Sequence, residues 1–167
     1  MKNIKKNNMN RFPKSILQRC QHLSFCIAEG LARRNNDGGF ILPAFQRGAV
    51  WSDEQKIRFM ESLILKLPVG SYCVHEDLST AVSWELLDGQ QRWGAIFDYV
   101  DDKFPVFGMK YSELNEVEQR YFRGLTFPVF IATGFTEEEK YEVFTRLAYG
   151  GTPNSADDAP TTRARLV

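Results

Sequence analysis

One stretch constrains this chain more than any other: residues 82–100, where a strand-like alternation turns into a helical pattern with no spacer between. Val82, Trp84 and Leu86 alternate with Ser83 and Glu85. Asp88, Gly89, Gln90, Gln91 and Arg92 follow, and then Ala95, Ile96, Tyr99 and Val100 recur at helical spacing. The change of period predicts a strand that hands over directly to a helix. At such a junction Gly89 can take a backbone geometry denied to other residues, and the first amide N–H groups of the helix lack intrahelical partners and suit an anion. Arg92 adds a planar fork of donors, while Asp88 is placed to hold a metal, accept a ribose hydroxyl or cap the helix.

An Asp-Gly pair also marks ordinary turns, so the junction needs support from elsewhere. Gln90, Gln91 and Arg92 are bulky polar groups set between an apolar strand and an apolar helix. Gln46-Arg47, in the polar middle of residues 44–51, repeats the same amide and guanidinium pair in another loop. Leaving such groups buried and unpaired costs on the order of several kcal/mol. The two loops are therefore expected to face one another or a bound anion. Neither Gly-x-x-x-x-Gly-Lys-Ser/Thr nor Gly-x-Gly-x-x-Gly occurs, so the loop is not the phosphate cradle of the common nucleotidases or dinucleotide enzymes. Gly-x-Ser-x-Gly and His-x-x-x-His are absent as well, which removes sequence support for acyl transfer and zinc hydrolysis.

The rest of the chain reads as alternating short elements. Ile16, Leu17, Cys20, Leu23, Ile27 and Leu31 recur every three or four residues and predict an amphipathic helix ended by Asn35-Asn36-Asp37-Gly38-Gly39. Phe40-Ile41-Leu42 reads as a short strand. Ser52 with Gln55, Asn115 with Glu118 and Thr136 with Glu139 form three capping boxes, each followed by helical periodicity. Strands are expected over residues 71–75 and 82–87 as an antiparallel hairpin, over 104–107, and over 127–131, where Pro128 points to an edge or a strand start. Glu137-Glu138-Glu139 suits a first helical turn better than a catalytic acid group. Trp51 and Trp93 could stack a base, although aromatic residues beside strands usually belong to a core. Five helices among short strands give a single α+β domain.

Basic and acidic side chains balance at 21 each, so net charge announces neither nucleic acid nor membrane. The distribution is uneven: residues 1–35 carry eight Lys or Arg against one acid, Glu29. A basic arm containing Lys2, Lys5, Lys6, Arg11 and Lys14 is suited to nucleic-acid phosphates. Three scattered cysteines and two histidines make neither a disulfide framework nor an obvious metal cluster. Without an apolar signal core or an 18-residue apolar run, the expected setting is cytoplasmic, with no membrane association.

Taken in order, Leu42-Pro43-Ala44-Phe45-Gln46-Arg47-Gly48-Ala49-Val50-Trp51, Asp88-Gly89-Gln90-Gln91-Arg92, and Phe144-Thr145-Arg146-Leu147 with Gly150-Gly151-Thr152-Pro153 resemble the N-terminal domain of the DUF262 proteins. That family has the ParB and sulfiredoxin-like fold and includes the nucleotide-binding part of type IV restriction systems directed at modified phage DNA. The resemblance implies a compact ParB/sulfiredoxin-like domain over residues 14–153, with a small mixed sheet and surrounding helices, between a flexible basic arm, 1–13, and a flexible tail, 154–167. It implies binding, and hydrolysis, of a nucleoside triphosphate with Mg2+. By it Gln46, Arg47, Gly89, Gln90, Arg92 and Arg146 contact the nucleotide, Asp88, Gln91 and Arg92 act in catalysis, and Asp88 holds the metal. The sequence departs from the family pattern at Ala148, where the third motif usually has Asn, and at Trp93-Gly94-Ala95, where Leu-Thr-Thr is usual. Full-length relatives continue into a helical region and an HNH nuclease module, and the role expected of this chain, in restriction or anti-restriction, is one exerted without a nuclease module of its own. The implied partners are a nucleotide, DNA through the basic arm, and a nuclease subunit or host defence protein. The alternatives are a DNA-binding module and a non-catalytic protein that binds a defence complex.

Overall fold

The computed structural model describes residues 19–34, 40–43, 50–77 and 83–149. The basic arm, Gln46 and Arg47, and the tail from residue 150 lie outside the described residues. In chain order the elements are β1 (Cys20–Cys26), α1 (Ile27–Arg34), β2 (Phe40–Ile41), α2 (Asp53–Ile64), β3 (Tyr72–Asp77), β4 (Ser83–Asp88), α3 (Gln90–Val100), a 3-10 turn (Tyr111–Glu113), α4 (Glu116–Arg123), β5 (Thr126–Thr133) and α5 (Glu137–Tyr149). The strands form one mixed sheet in the order β1-β5-β3-β4-β2. β3 and β4 pair antiparallel, as their short connection predicts, whereas β5 joins β3 in parallel and β2 joins β4 in parallel.

The strand pleat sorts the side chains. Tyr72, Val74, Trp84, Leu86, Phe127, Val129 and Ile131 point to one face, where Phe59, Met60 and Leu63 of α2 and Trp93, Ile96 and Tyr99 of α3 complete a continuous core. Aromatic rings dominate its centre: Trp93 meets Tyr72 edge-on at 5.3 Å, and Phe127 lies 4.8 Å from Tyr72. α1 comes so close that a Cβ on Gly30 would overlap the Trp93 indole. Trp93 is thus a core residue. Glu85, between Trp84 and Leu86, points the other way, to α5.

The capping boxes are all present. Ser52, Asn115 and Thr136 each exchange hydrogen bonds with the residue three places on, which fixes the starts of α2, α4 and α5. Three expectations need correction. Residues 20–26 are a strand, and the helix begins only at Ile27. All seven residues of β1 pair with β5, from Cys20 opposite Ala132 to Cys26 opposite Thr126, and that pairing overrides a local spacing that suits a helix equally well. Residues 104–107 form no strand: Val106 and Met109 exchange backbone hydrogen bonds across Phe107 and Gly108, both at positive φ, giving a tight turn. Pro128 does not mark an edge, because β5 lies between β1 and β3. Pairing with β3 starts at Val129, so the proline precedes the stretch flanked on both sides.

Candidate functional site

The strand-to-helix junction is built as its sequence requires. Gly89 has φ +98 and precedes α3 with no side chain capping the helix. Tyr72 packs beneath it so closely that a Cβ would fall 2.5 Å from the Tyr72 Cβ. Register adds something the sequence did not show: Cys73 pairs with Asp88 and Val74 with Leu86, so Leu87 is an extra residue in β4. This bulge, immediately before the Asp88-Gly89 turn, re-aims the end of the strand. Cys73, across from Asp88, is buried, and burial pushes its thiol up to about 12. It is therefore no nucleophile at neutral pH.

A cavity of about 320 Å³ opens at this junction, lined by Asp88 to Arg92, Leu87, Val50, Trp51, Phe144 and Ala148. Three remote segments meet there. The side-chain oxygen of Gln91 accepts hydrogen bonds from the backbone N–H groups of Val50, at 2.9 Å, and Trp51, at 3.1 Å, and so ties the end of the first motif to the second. Trp51, half-buried against Phe59, forms part of the wall. The expected meeting of Gln46-Arg47 with this junction lies outside the described residues; what is described is that Val50 and Trp51, the end of the same segment, reach it.

Arg92 donates from Nη2 to the Asp88 carboxylate at 2.5 Å, and its Nε is buried without a hydrogen-bond partner among the described residues. Its Nη1 lies beside the backbone of Gly70. Gln90 lines the cavity at the first helical position. Arg146 is placed differently: its Nε donates to Glu142 at 2.6 Å, its side chain is 74% exposed, and the lining of the cavity comes from its helical neighbours Phe144 and Ala148. Ala148, where the resembled family usually has Asn, thus faces the cavity.

A buried ion pair sets α5 against this site. Lys140 Nζ lies 2.5 Å from Glu85 and 2.6 Å from Glu137. Burial pulls the lysine pKa down, but these carboxylates outweigh it and hold it above its ordinary value. Glu85 is three residues before Asp88 in β4, so the strand that carries Asp88 also anchors the helix that closes the cavity. On the same face His75 is buried and its Nε2 accepts the Phe135 N–H at 3.0 Å, a packing role. Sequence reasoning missed Glu85 and Lys140, because nothing in their local patterns marks them as partners.

Among the described residues no group of three His, Cys, Asp or Glu side chains is arranged to hold a metal, and no helix is long and apolar enough to cross a membrane. A solved structure of C-terminally truncated chromosome-partitioning protein ParB from Caulobacter crescentus, complexed with CTP-gamma-S, is similar with 13% sequence identity and a TM-score of 0.44, over 76% of this chain and 52% of that one. This chain thus spans about half the length of that structure. No curated protein matches. Residues 28–140 match the family described as GmrSD restriction endonuclease, N-terminal domain. That match runs from α1 to the start of α5 and includes the first loop, the Asp88 to Arg92 junction and the Glu85–Lys140 anchor. More than half of the chain lies within it, and the chain belongs to the family of GmrSD restriction endonuclease N-terminal domains, the DUF262 proteins.

Proposed function

We propose that the cavity at the start of α3 binds a nucleoside triphosphate in a domain of ParB-like architecture, as part of a restriction or anti-restriction system. The observation that carries this reading is the guanidinium of Arg92: at a helix start without a side-chain cap, inside a cavity, it keeps a buried Nε with no partner among the described residues. An anionic ligand would meet the helix amides and the arginine fork together. The apolar wall of Val50, Trp51 and Phe144 suits a base or sugar, and the volume falls at the small end of ligand sites. Gln46 and Arg47 belong to the same proposal, since Val50 and Trp51 are held at the cavity by Gln91. Asp88 fits a magnesium ion in the mode where one carboxylate, phosphates and water share the coordination. One of its oxygens is bound to Arg92, and the side chain is 36% exposed. When bound, the ion supplies positive charge to the phosphates. Asp88 would then hold both Arg92 and the ion, and Gln91 would keep the wall closed.

Ala148 favours a second reading, in which the ligand is bound without turnover. It presents a methyl group to the cavity where the family's usual amide could orient a phosphate or water. Titration with each of the four ribonucleoside triphosphates, with and without magnesium, separates these readings when combined with a phosphate-release assay. Arg92→Ala is expected to lower triphosphate affinity at least about tenfold. It is expected to change stability by less than about 1 kcal/mol, because its ion pair is partly exposed. Unchanged affinity in that variant overturns the assignment.

A further inference from the structure

A cavity larger than the one at the α3 junction lies elsewhere among the described residues. It is a groove of about 970 Å³ between the end of α2 and α4, with Val69, Gly70 and Ser71, just before β3, and the start of β5 as its floor. Leu67, Val117 and Tyr121 stand at its rim, with 53%, 73% and 47% of their surfaces exposed. Large apolar side chains grouped in this way around a groove mark an interaction surface better than scattered ones do.

The walls are fixed in advance. α2 ends in a Schellman turn: Lys66 N–H donates to Leu63 O, Leu67 N–H donates to Ser62 O, and Lys66 takes the left-handed conformation, φ +58, that glycine usually supplies. Pro68 stiffens the exit, and the Tyr121 hydroxyl donates to Ile64 O at 3.0 Å, bracing α4 against α2. Lys66 Nζ lies 5.1 Å over the Tyr121 ring. The charged side chains lining the groove are Lys66 and Arg120, both cationic, and no acidic side chain among the described residues lines it.

We propose that this groove docks a short acidic, amphipathic segment of a partner protein, apolar anchors entering between Leu67 and Val117 and carboxylates meeting Lys66 and Arg120. Charge complementarity selects this occupant. Two cations beside an apolar floor suit a peptide with a few carboxylates, whereas nucleic acid requires a longer run of phosphate contacts.

Panning a displayed library of random dodecapeptides on the full chain, with Val117→Asp as counter-target, tests the assignment. Val117 is exposed and lies in the first turn of α4, where an added carboxylate suits the helix, so the variant is expected to fold. The expected result is enrichment of sequences with two or three apolar anchors and neighbouring Asp or Glu. Their binding should weaken at least about tenfold in Val117→Asp and again in Lys66→Glu, and should fall with salt. Thermal melting of both variants within a few degrees of wild type shows that the fold is intact, and a larger drop moves the comparison to Lys66→Ala and Val117→Ser. No enrichment, enrichment of basic sequences, duplex DNA that competes for the groove, or a concentration-dependent dimer abolished by Val117→Asp overturns it.

Discussion

Gly89 shows how much one residue at the site is asked to do. Its Asp-Gly context pointed to a special backbone geometry, and its φ of +98 supplies one. The second demand, close approach by the buried Tyr72 side chain, comes from packing that no local pattern displays. Gly89→Ala meets both at once: a left-handed backbone disfavoured by a side chain, and a Cβ forced against the Tyr72 Cβ, whose strand and ring cannot move without disturbing Trp93 and Phe127. The expected loss is about 3 kcal/mol, near the upper end for a single substitution. Denaturant unfolding measures it. A loss under about 1 kcal/mol would show that Tyr72 yields and that the junction is softer than its geometry indicates.

At the scale of elements, what was legible was local and what was hidden was mutual. The starts of α2, α4 and α5 follow from side chains reaching three residues along their own chain, so Ser52, Asn115 and Thr136 disclose them. β1 draws its stability from β5, more than 100 residues away, and Cys20, Leu23 and Ile27 happen to satisfy a helical spacing too. The ties of α3 are equally non-local. Asp98 receives Lys56 of α2 at 2.9 Å and Lys103 at 2.6 Å, and Asp101 receives Arg34 of α1 through both oxygens. Burial alone would raise the Asp98 pKa, but its bonds to Lys103 and Lys56 lower it below the ordinary carboxylate value. The unfolded chain then binds the proton more readily than the folded one. This contribution is present above the ordinary carboxylate range and disappears as pH falls through and below it. Asp98→Asn is expected to remove about 1–2 kcal/mol at neutral pH. It should also flatten the loss of stability on acidification, which melting curves between neutral pH and about pH 3 will show.

At the scale of the whole molecule, the site is a meeting of three segments separated by dozens of residues, and the sequence offered their chemistry without their geometry. Gln91 ties the second segment to Val50 and Trp51 of the first, while Gln46 and Arg47, the residues expected to converge with it, lie outside the described residues. Arg146 illustrates the gap: a helix brings Phe144 and Ala148 to the cavity together because they are one turn apart, while the arginine between them is carried round towards Glu142. Charge pairing in its own helix decides where that guanidinium rests, and a motif does not report it.

Gln91 allows assembly of the site to be separated from its ligand chemistry. Removing the amide with Gln91→Ala deprives two backbone N–H groups of their shared acceptor and is expected to lower stability by about 1–2 kcal/mol. It should also weaken triphosphate binding, because the Val50–Trp51 wall is no longer held. Gln91→Glu keeps an acceptor for both N–H groups, strengthens it with charge, and places that charge in the first turn of α3, where the helix favours it. Stability is expected to return nearly to that of the wild type. The same charge now stands beside the helix start proposed for the phosphates and repels them, so triphosphate affinity should fall at least about tenfold despite the intact wall. Melting curves and ligand titrations on the two variants distinguish a tether from an anion site. A Gln91→Glu protein as stable as wild type that binds triphosphate equally well would place the phosphates away from the start of α3.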